Sequence, residues 1–272
     1  SLSLDGSTAE RHDAIRGIAG TYERTLEAAR VAREIGLPFQ VNTLVCADTV
    51  DHLSAIHEQV AAMGAARWSL FFLVTVGRGQ VQQAVSPDRA EALLGWVAGL
   101  AGPAGRGRLV VTTTEAPQLR RVMIERRGGA PTPASGGSAH HGAGIRDGNG
   151  ILFISHTGEI CPSGFLEISA GNVRRDDVVE IYRRSTLFQA LRDPHAFGGR
   201  CGRCEYSALC GGSRARAFSA SGDPLAEDPL CLYEPAASRT EQYRTTADRQ
   251  ANVQNLSGVN GRTSDTRSTP GR

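Results

Sequence analysis

Cys201-Gly-Arg-Cys204-Glu-Tyr-Ser-Ala-Leu-Cys210, completed by Cys231 in the spacing C-x2-C-x5-C-x20-C, is the stretch on which the reading of this chain turns. Thiolates are soft donors that select iron–sulfur clusters or zinc, and four of them with no nearby histidine leave no open coordination position for catalysis. A zinc ribbon pairs two C-x2-C knuckles; the single cysteines at longer gaps here suit the bulk of a [4Fe-4S] cubane better. Zinc remains the alternative. Disulfides need an oxidising compartment, and nothing N-terminal resembles a secretory signal.

Outside this stretch the composition excludes more than it identifies. The 272 residues are 40% hydrophobic, enough for one or two domains, and no run approaches a membrane span. A formal net charge of +2, with no basic stripe interleaved with aromatics, gives no support for a nucleic-acid partner. A cytoplasmic protein is expected. All 30 basic residues are arginine. Without lysine the chain has neither a Schiff-base lysine nor a Walker lysine.

Residues 1–127 alternate strand and helix signals. Helices are predicted from Thr21 to Ile35, from Val50 to Met63 and from Ser86-Pro87 to Leu100, the last with an N-cap and a first-turn proline. Strands are predicted over Phe39–Val45, Trp68–Val74 and Leu109–Thr114; the near-continuous apolar run at Trp68 fits a parallel strand covered on both faces. Such repeats imply parallel pairing with right-handed crossovers, in too few units to close a barrel. Ligands of parallel α/β folds sit at the carboxyl ends of strands, which draws attention to Ser3, Asp5 and Gly6. The adjacent His12 and Asp13 cannot orient as triad partners and are read as capping or bracing groups, with Arg16 bracing an acid nearby.

The glycine-, proline- and serine-rich residues 128–150 read as a flexible loop, His140 and His141 within it as solvated. A hairpin formed by Ile151–Ile154 and Glu159–Cys161 then opens a smaller module, 151–235, with helices near Asp177–Arg184 and Leu187–Leu191. Cys161 lacks partners and reads as a free thiol, Cys46 as a small buried hydrophobe. Residues 236–272 are too polar to offset their ordering entropy, and disorder is expected there.

The cysteine stretch, its continuation Gly211-Gly-Ser-Arg-Ala-Arg-Ala, and Gly222-Asp-Pro-Leu-Ala-Glu-Asp-Pro-Leu-Cys231 resemble the SPASM or twitch auxiliary cluster domain of radical S-adenosylmethionine enzymes. Ser3-Leu-Asp-Gly6, His12-Asp13 with Arg16-Gly17, Val41-Asn-Thr43, and Phe72 leading to Gly77-Arg78-Gly79 resemble the second half of that family's barrel. The resemblance covers about residues 1–235 and is nearest to the branch of modified-haem biosynthesis and peptide modification. It implies an α/β fold: the C-terminal part of a partial (β/α) barrel over 1–127, followed by a small loop-rich iron–sulfur domain. It implies an auxiliary [4Fe-4S] cluster on Cys201, Cys204, Cys210 and Cys231. S-adenosylmethionine would contact Ser3, Asp5 and Asn42, with Gly77 and Arg78 near its adenine.

This chain departs from the family in lacking the C-x3-C-x2-C triplet that holds the catalytic cluster. The resemblance therefore implies that the complete enzyme carries that second [4Fe-4S] cluster on a preceding half-barrel and that this chain alone is inactive. The complete enzyme would generate a 5′-deoxyadenosyl radical to abstract hydrogen from a porphyrin, peptide or small metabolite, with a ferredoxin or flavodoxin as electron donor. The alternative is a non-catalytic four-cysteine module that binds zinc or a cluster only to staple its loops.

Overall fold

The computed structural model describes residues 1–100, 109–129 and 145–235. Most of the 128–150 loop, including His140 and His141, and the whole polar tail 236–272 lie outside the described residues.

Four strands form one parallel sheet in chain order: β1 (Leu2–Ser3), β2 (Gln40–Val45), β3 (Arg67–Phe72) and β4 (Val110–Thr114). The crossovers are carried by α1 (Ala9–Arg16) with α2 (Thr21–Glu34), by α3 (Leu53–Ala62) behind a 3-10 turn at Val50–His52, and by α4 (Pro87–Leu100); α5 (Gln118–Arg126) follows β4. This is the α/β partial barrel expected, with each expected strand and helix within about two residues at its ends.

Period-two alternation decides what each face of the sheet does. Val41, Val45, Trp68, Leu70 and Phe72 point to the helix layer and are buried against Ile56 and Val60 of α3 and Leu94 and Val97 of α4. Trp68 is the largest of them and is wholly buried. Its burial is worth roughly 4–6 kcal/mol. Its indole N–H is satisfied by Thr43 Oγ1 at 2.8 Å, and that hydroxyl donates to Leu4 O at 2.7 Å, pinning β1, β2 and β3 together.

The other face carries Ser3, Asn42, Ser69 and Thr112 in register, one per strand. Thr112 Oγ1 donates to Ser69 Oγ at 3.3 Å, and Gln40 Nε2 donates to Asn42 Oδ1 at 2.6 Å.

After the loop, β5 (Phe153–Ile154) and β6 (Ile160–Cys161) pair antiparallel as the expected hairpin. They lead to α6 (Val178–Arg184), capped by Asp177, and α7 (Thr186–Arg192), capped by Ser185. Two short helices complete the module, α8 (Gly199–Arg203) and α9 (Arg214–Ser221). Leu166, Leu187, Leu191, Phe197 and Ala215 form a second core, into which Val74 from the loop after β3 inserts.

Candidate metal centre and adjoining cavity

All four cysteines of the C-terminal stretch line one narrow cavity. Cys201 comes from α8, Cys204 and Cys210 bracket the turns that follow it, and Cys231 arrives on the returning segment. Each sulfur accepts a main-chain N–H. Tyr206 N donates to Cys204 Sγ at 3.4 Å and Asp228 N to Cys201 Sγ at 3.5 Å. The N–H groups of Gly212 and Tyr233 serve Cys210 and Cys231, two residues upstream in each case. Donors aimed at sulfur favour thiolates over thiols, as ligands to a metal must be.

Without a metal's charge the cavity opposes ionisation. Burial pushes the Cys204 thiol up to about 11 and Cys210 to about 12, and raises Cys231 as well. The donor set thus fits a group that supplies positive charge of its own. Among the described residues no three His, Cys, Asp or Glu side chains converge closely enough to hold one ion; the four sulfurs stand around a space.

The backbone around the site is built for this approach. Gly212 has φ +67°, and a Cβ there would lie 2.8 Å from Asp228 Cβ and 3.1 Å from Cys201 Sγ. Arg214, wholly buried, donates through Nη1 to Ala226 O at 2.7 Å and through Nη2 to Cys201 Sγ at 3.5 Å, with its guanidinium 4.6 Å from the Phe197 ring centre. It ties the segment before Cys231 to Cys201.

Asp228 is the junction between this site and the barrel. Its Oδ2 accepts from Gln118 Nε2 at 2.6 Å, Ser213 N at 2.8 Å and Arg216 Nη1 at 3.0 Å, and its Oδ1 accepts from Leu230 N at 3.0 Å. Burial alone would raise its carboxyl, but Arg216 and the main-chain donors outweigh burial and hold it below the usual carboxylate range. Arg216 also donates to Glu115 O at 2.6 Å, and Ser213 Oγ donates to Glu115 Oε2 at 2.5 Å.

Glu115 stands at the carboxyl end of β4, on the rim of a second cavity of about 530 Å³ between the sheet and the hairpin module. That is within the size range of small-molecule sites. Thr112, Thr114, Asp147 and Phe165 line it with Glu115. Glu115 is the one non-glycine residue with positive φ, +58°, among the described residues. Burial and the charge of Asp147 raise its carboxyl to about 7.

The expected S-adenosylmethionine contacts divide. Ser3 and Asn42 are register partners on the polar face of the sheet. Gly77 lies in a 3-10 turn, Gly77–Val81, beyond β3, and Arg78 belongs to the same turn. Asp5 is buried instead, its oxygens taken by Leu44 N at 2.7 Å and by Arg16 at 2.7 Å, so it braces β1 against β2. His12 and Asp13 do likewise: His12 Nδ1 accepts from Asp5 N, and Asp13 accepts from Gly20 N and Tyr22 N at the start of α2. Cys161 on β6 and Cys46 after β2 are free and buried, and neither lines the four-cysteine cavity.

No family model matches the chain. The AdoMet-dependent heme synthase of Nitratidesulfovibrio vulgaris is 38% identical over 240 residues, covering 86% of this chain and 65% of that protein. The AdoMet-dependent heme synthase of Methanosarcina barkeri is 37% identical over 238 residues, covering 86% of this chain and 67% of that protein. The chain thus spans about two thirds of the length of the curated relatives it matches. Among solved structures, Streptococcus suis SuiB bound to S-adenosylmethionine superposes with a TM-score of 0.58 at 14% identity, over 85% of this chain and 53% of that one, a likeness of fold. At 37–38% identity over 86% of its length, the chain belongs to the radical S-adenosylmethionine family, alongside the AdoMet-dependent heme synthases.

Proposed function

We propose that this chain is the C-terminal portion of a radical S-adenosylmethionine enzyme, with residues 1–127 as part of its barrel and 151–235 as a SPASM/twitch-like domain. In this reading Cys201, Cys204, Cys210 and Cys231 hold an auxiliary [4Fe-4S] cluster. The observation that carries it is the convergence of all four sulfurs on one cavity, each with its own N–H donor. The spacing C-x2-C-x5-C-x20-C, unlike the paired knuckles of a zinc ribbon, favours a cluster over zinc. The cavity measures about 20 Å³, so seating a cluster calls for the cysteine side chains to swing outward.

In the complete enzyme, S-adenosylmethionine and a cluster on the preceding C-x3-C-x2-C segment supply a 5′-deoxyadenosyl radical for hydrogen abstraction. This chain's contribution is to bind and to orient. Ser3 and Asn42 present polar groups to the cofactor on the barrel's inner face, with Gly77 and Arg78 flanking its adenine. The cavity under Glu115 receives the substrate, a porphyrin, peptide or small metabolite, and shields it from water. Cys201, Cys204, Cys210 and Cys231 would hold the auxiliary cluster, which would supply an electron relay or an anchor for that substrate; four protein thiolates would leave no iron open for the substrate to ligate. A ferredoxin or flavodoxin in the cytoplasm would be the electron donor.

Anaerobic reconstitution with iron and sulfide, followed by an absorption spectrum and metal counts, tests the assignment. About four irons per chain, lost in Cys204→Ala, are expected. A colourless protein with one tight zinc overturns the cluster and favours a stapled binding module.

A further inference from the structure

The segment that opens the smaller module exposes hydrocarbon at the mouth of the 530 Å³ cavity. Ile145, Ile151 and Phe153 are 42%, 45% and 39% exposed. Large apolar side chains scattered singly over a surface are ordinary, but these three stand together. A turn in which Arg146 N donates to Asn149 O at 3.0 Å brings Ile145 back beside Gly150, where a Cβ would lie 3.2 Å from Ile145 Cγ1. Phe153 lies over Gly164, where a Cβ would be 3.6 Å from its ring. Ile145, Ile151 and Gly164 all line the cavity, so the three side chains share its edge.

The hairpin does not cover them itself. Its partner strand β6 turns Ile160 and Cys161 inward, both buried, while Phe153 of β5 stays outside. The two sides of the cavity also differ in chemistry. The sheet side brings Thr112, Thr114 and the Glu115 carboxyl. On the module side Arg146 and Asp147 are buried, so most of what the module turns to the mouth is hydrocarbon. An exposed apolar patch continuous with a cavity marks a surface that a ligand covers.

We propose that Ile145, Ile151 and Phe153 form a lip against which the apolar body of the substrate lies, while its polar end enters the cavity toward Thr114 and Glu115. The inference rests on reading this cavity as the substrate site. It narrows the substrate to an amphipathic molecule with an apolar body and one polar end, and sets aside metabolites that are polar throughout.

The test is NMR of the full chain with ¹³C-methyl isoleucine and methionine, using 1-butanol, 1-hexanol and 1,6-hexanediol as probes. Ile145 and Ile151 report on the lip and Met123 on the cavity, while the exposed Ile18 and Ile35 and the core-packed Met63 serve as controls. 1-Hexanol is expected to shift Ile145, Ile151 and Met123 saturably and leave the controls unmoved. It should bind roughly tenfold tighter than 1-butanol or 1,6-hexanediol, and roughly fivefold weaker in Ile151→Ser and in Phe153→Ser. If Met123 shifts while Ile145 and Ile151 stay, the cavity stands and this inference falls. If neither Met123 nor the lip responds, the cavity reading and the inference fall together. Equal shifts at Ile18 and Ile35, tight binding of 1,6-hexanediol, unchanged binding in both serine variants, or a lip that moves without Met123 each overturn the inference alone.

Discussion

The Ser213 hydroxyl donates to the Glu115 carboxyl at 2.5 Å, joining the end of β4 to the N-cap of α9 across 98 residues of sequence. Arg216, one turn into the same helix, donates to the Glu115 carbonyl. The end of the last sheet strand and the wall of the four-cysteine cavity are therefore one hydrogen-bonded unit.

This arrangement makes stability depend on pH through Glu115. Its carboxyl is raised from 4.5 to about 7, so between those values the folded protein keeps a proton that the unfolded chain releases. The associated stability is complete below pH 4.5 and is lost as pH rises through about 7. Urea unfolding of the wild type should show a fall on the order of 1–3 kcal/mol from pH 4.5 to 8, and Glu115→Gln should flatten it. Equal slopes in the two proteins would mean that Glu115 titrates as an ordinary carboxylate.

Asp228 should be the most costly side chain of the junction to remove. Asp228→Ala strips Gln118, Ser213 N, Leu230 N and the buried Arg216 of their acceptor at once. Leaving a buried cation uncompensated costs about 3–5 kcal/mol. Asp228→Asn keeps an acceptor and should lose less, so the two variants should separate clearly in denaturant midpoint; coincident midpoints would show that the retained acceptor contributes nothing and that the lost charge accounts for the whole effect.

The sheet was legible in the sequence because its signals are local. The Trp68 run and the helices ending at Gly36 and Gly64 put periodicity and stop residues side by side, and the strands fall where that pattern puts them. The helices the pattern does not reveal share a different trait, that charged or small residues occupy their buried faces. In α5 the buried positions are Gln118, Leu119, Arg121 and Val122, and in α9 they are Arg214, Ala215, Arg216 and Ala217. Periodicity finds helices that bury hydrocarbon, whereas these bury arginine satisfied by carboxylates and carbonyls from distant segments. The same reason hid part of the candidate site. Cysteine spacing marks Cys201, Cys204, Cys210 and Cys231 directly, but Arg214, Asp228 and Glu115 acquire their roles only when β4, α9 and the segment before Cys231 meet. A residual local signal existed in Gly211-Gly212, a pair of left-handed positions directly after a cysteine.

Gly212 gives a sharp steric test. A methyl group there meets the Asp228 and Arg214 side chains as well as Cys201 Sγ, on a backbone at φ +67° that L-residues disfavour by about 1–2 kcal/mol. Gly212→Ala should lower stability by at least about 2 kcal/mol and abolish iron uptake on reconstitution. Full iron incorporation in this variant would show that the loop relaxes freely and that its conformation is not part of the site.

Arg214 distinguishes a cation that stabilises the fold from one that serves the thiolates. Its Nη1 reaches the carbonyls of Pro224 and Ala226, its Nε that of Gly212, and its Nη2 Cys201 Sγ, a fork that a lysine ammonium cannot reproduce. Arg214→Lys keeps the charge but drops most of these bonds, and Arg214→Gln drops both. If the fork is what matters, both variants should lose stability by a similar amount, about 2 kcal/mol or more, and both should take up less iron. If the positive charge beside Cys201 is what matters, Arg214→Lys should reconstitute like the wild type and Arg214→Gln should not, with the reduction potential of the bound cluster moving to more negative values as the cation is lost. Potentiometry and iron counts on the two variants separate these outcomes. The geometry, with three of the four contacts on carbonyls of the segments that flank Cys210 and Cys231, favours the first.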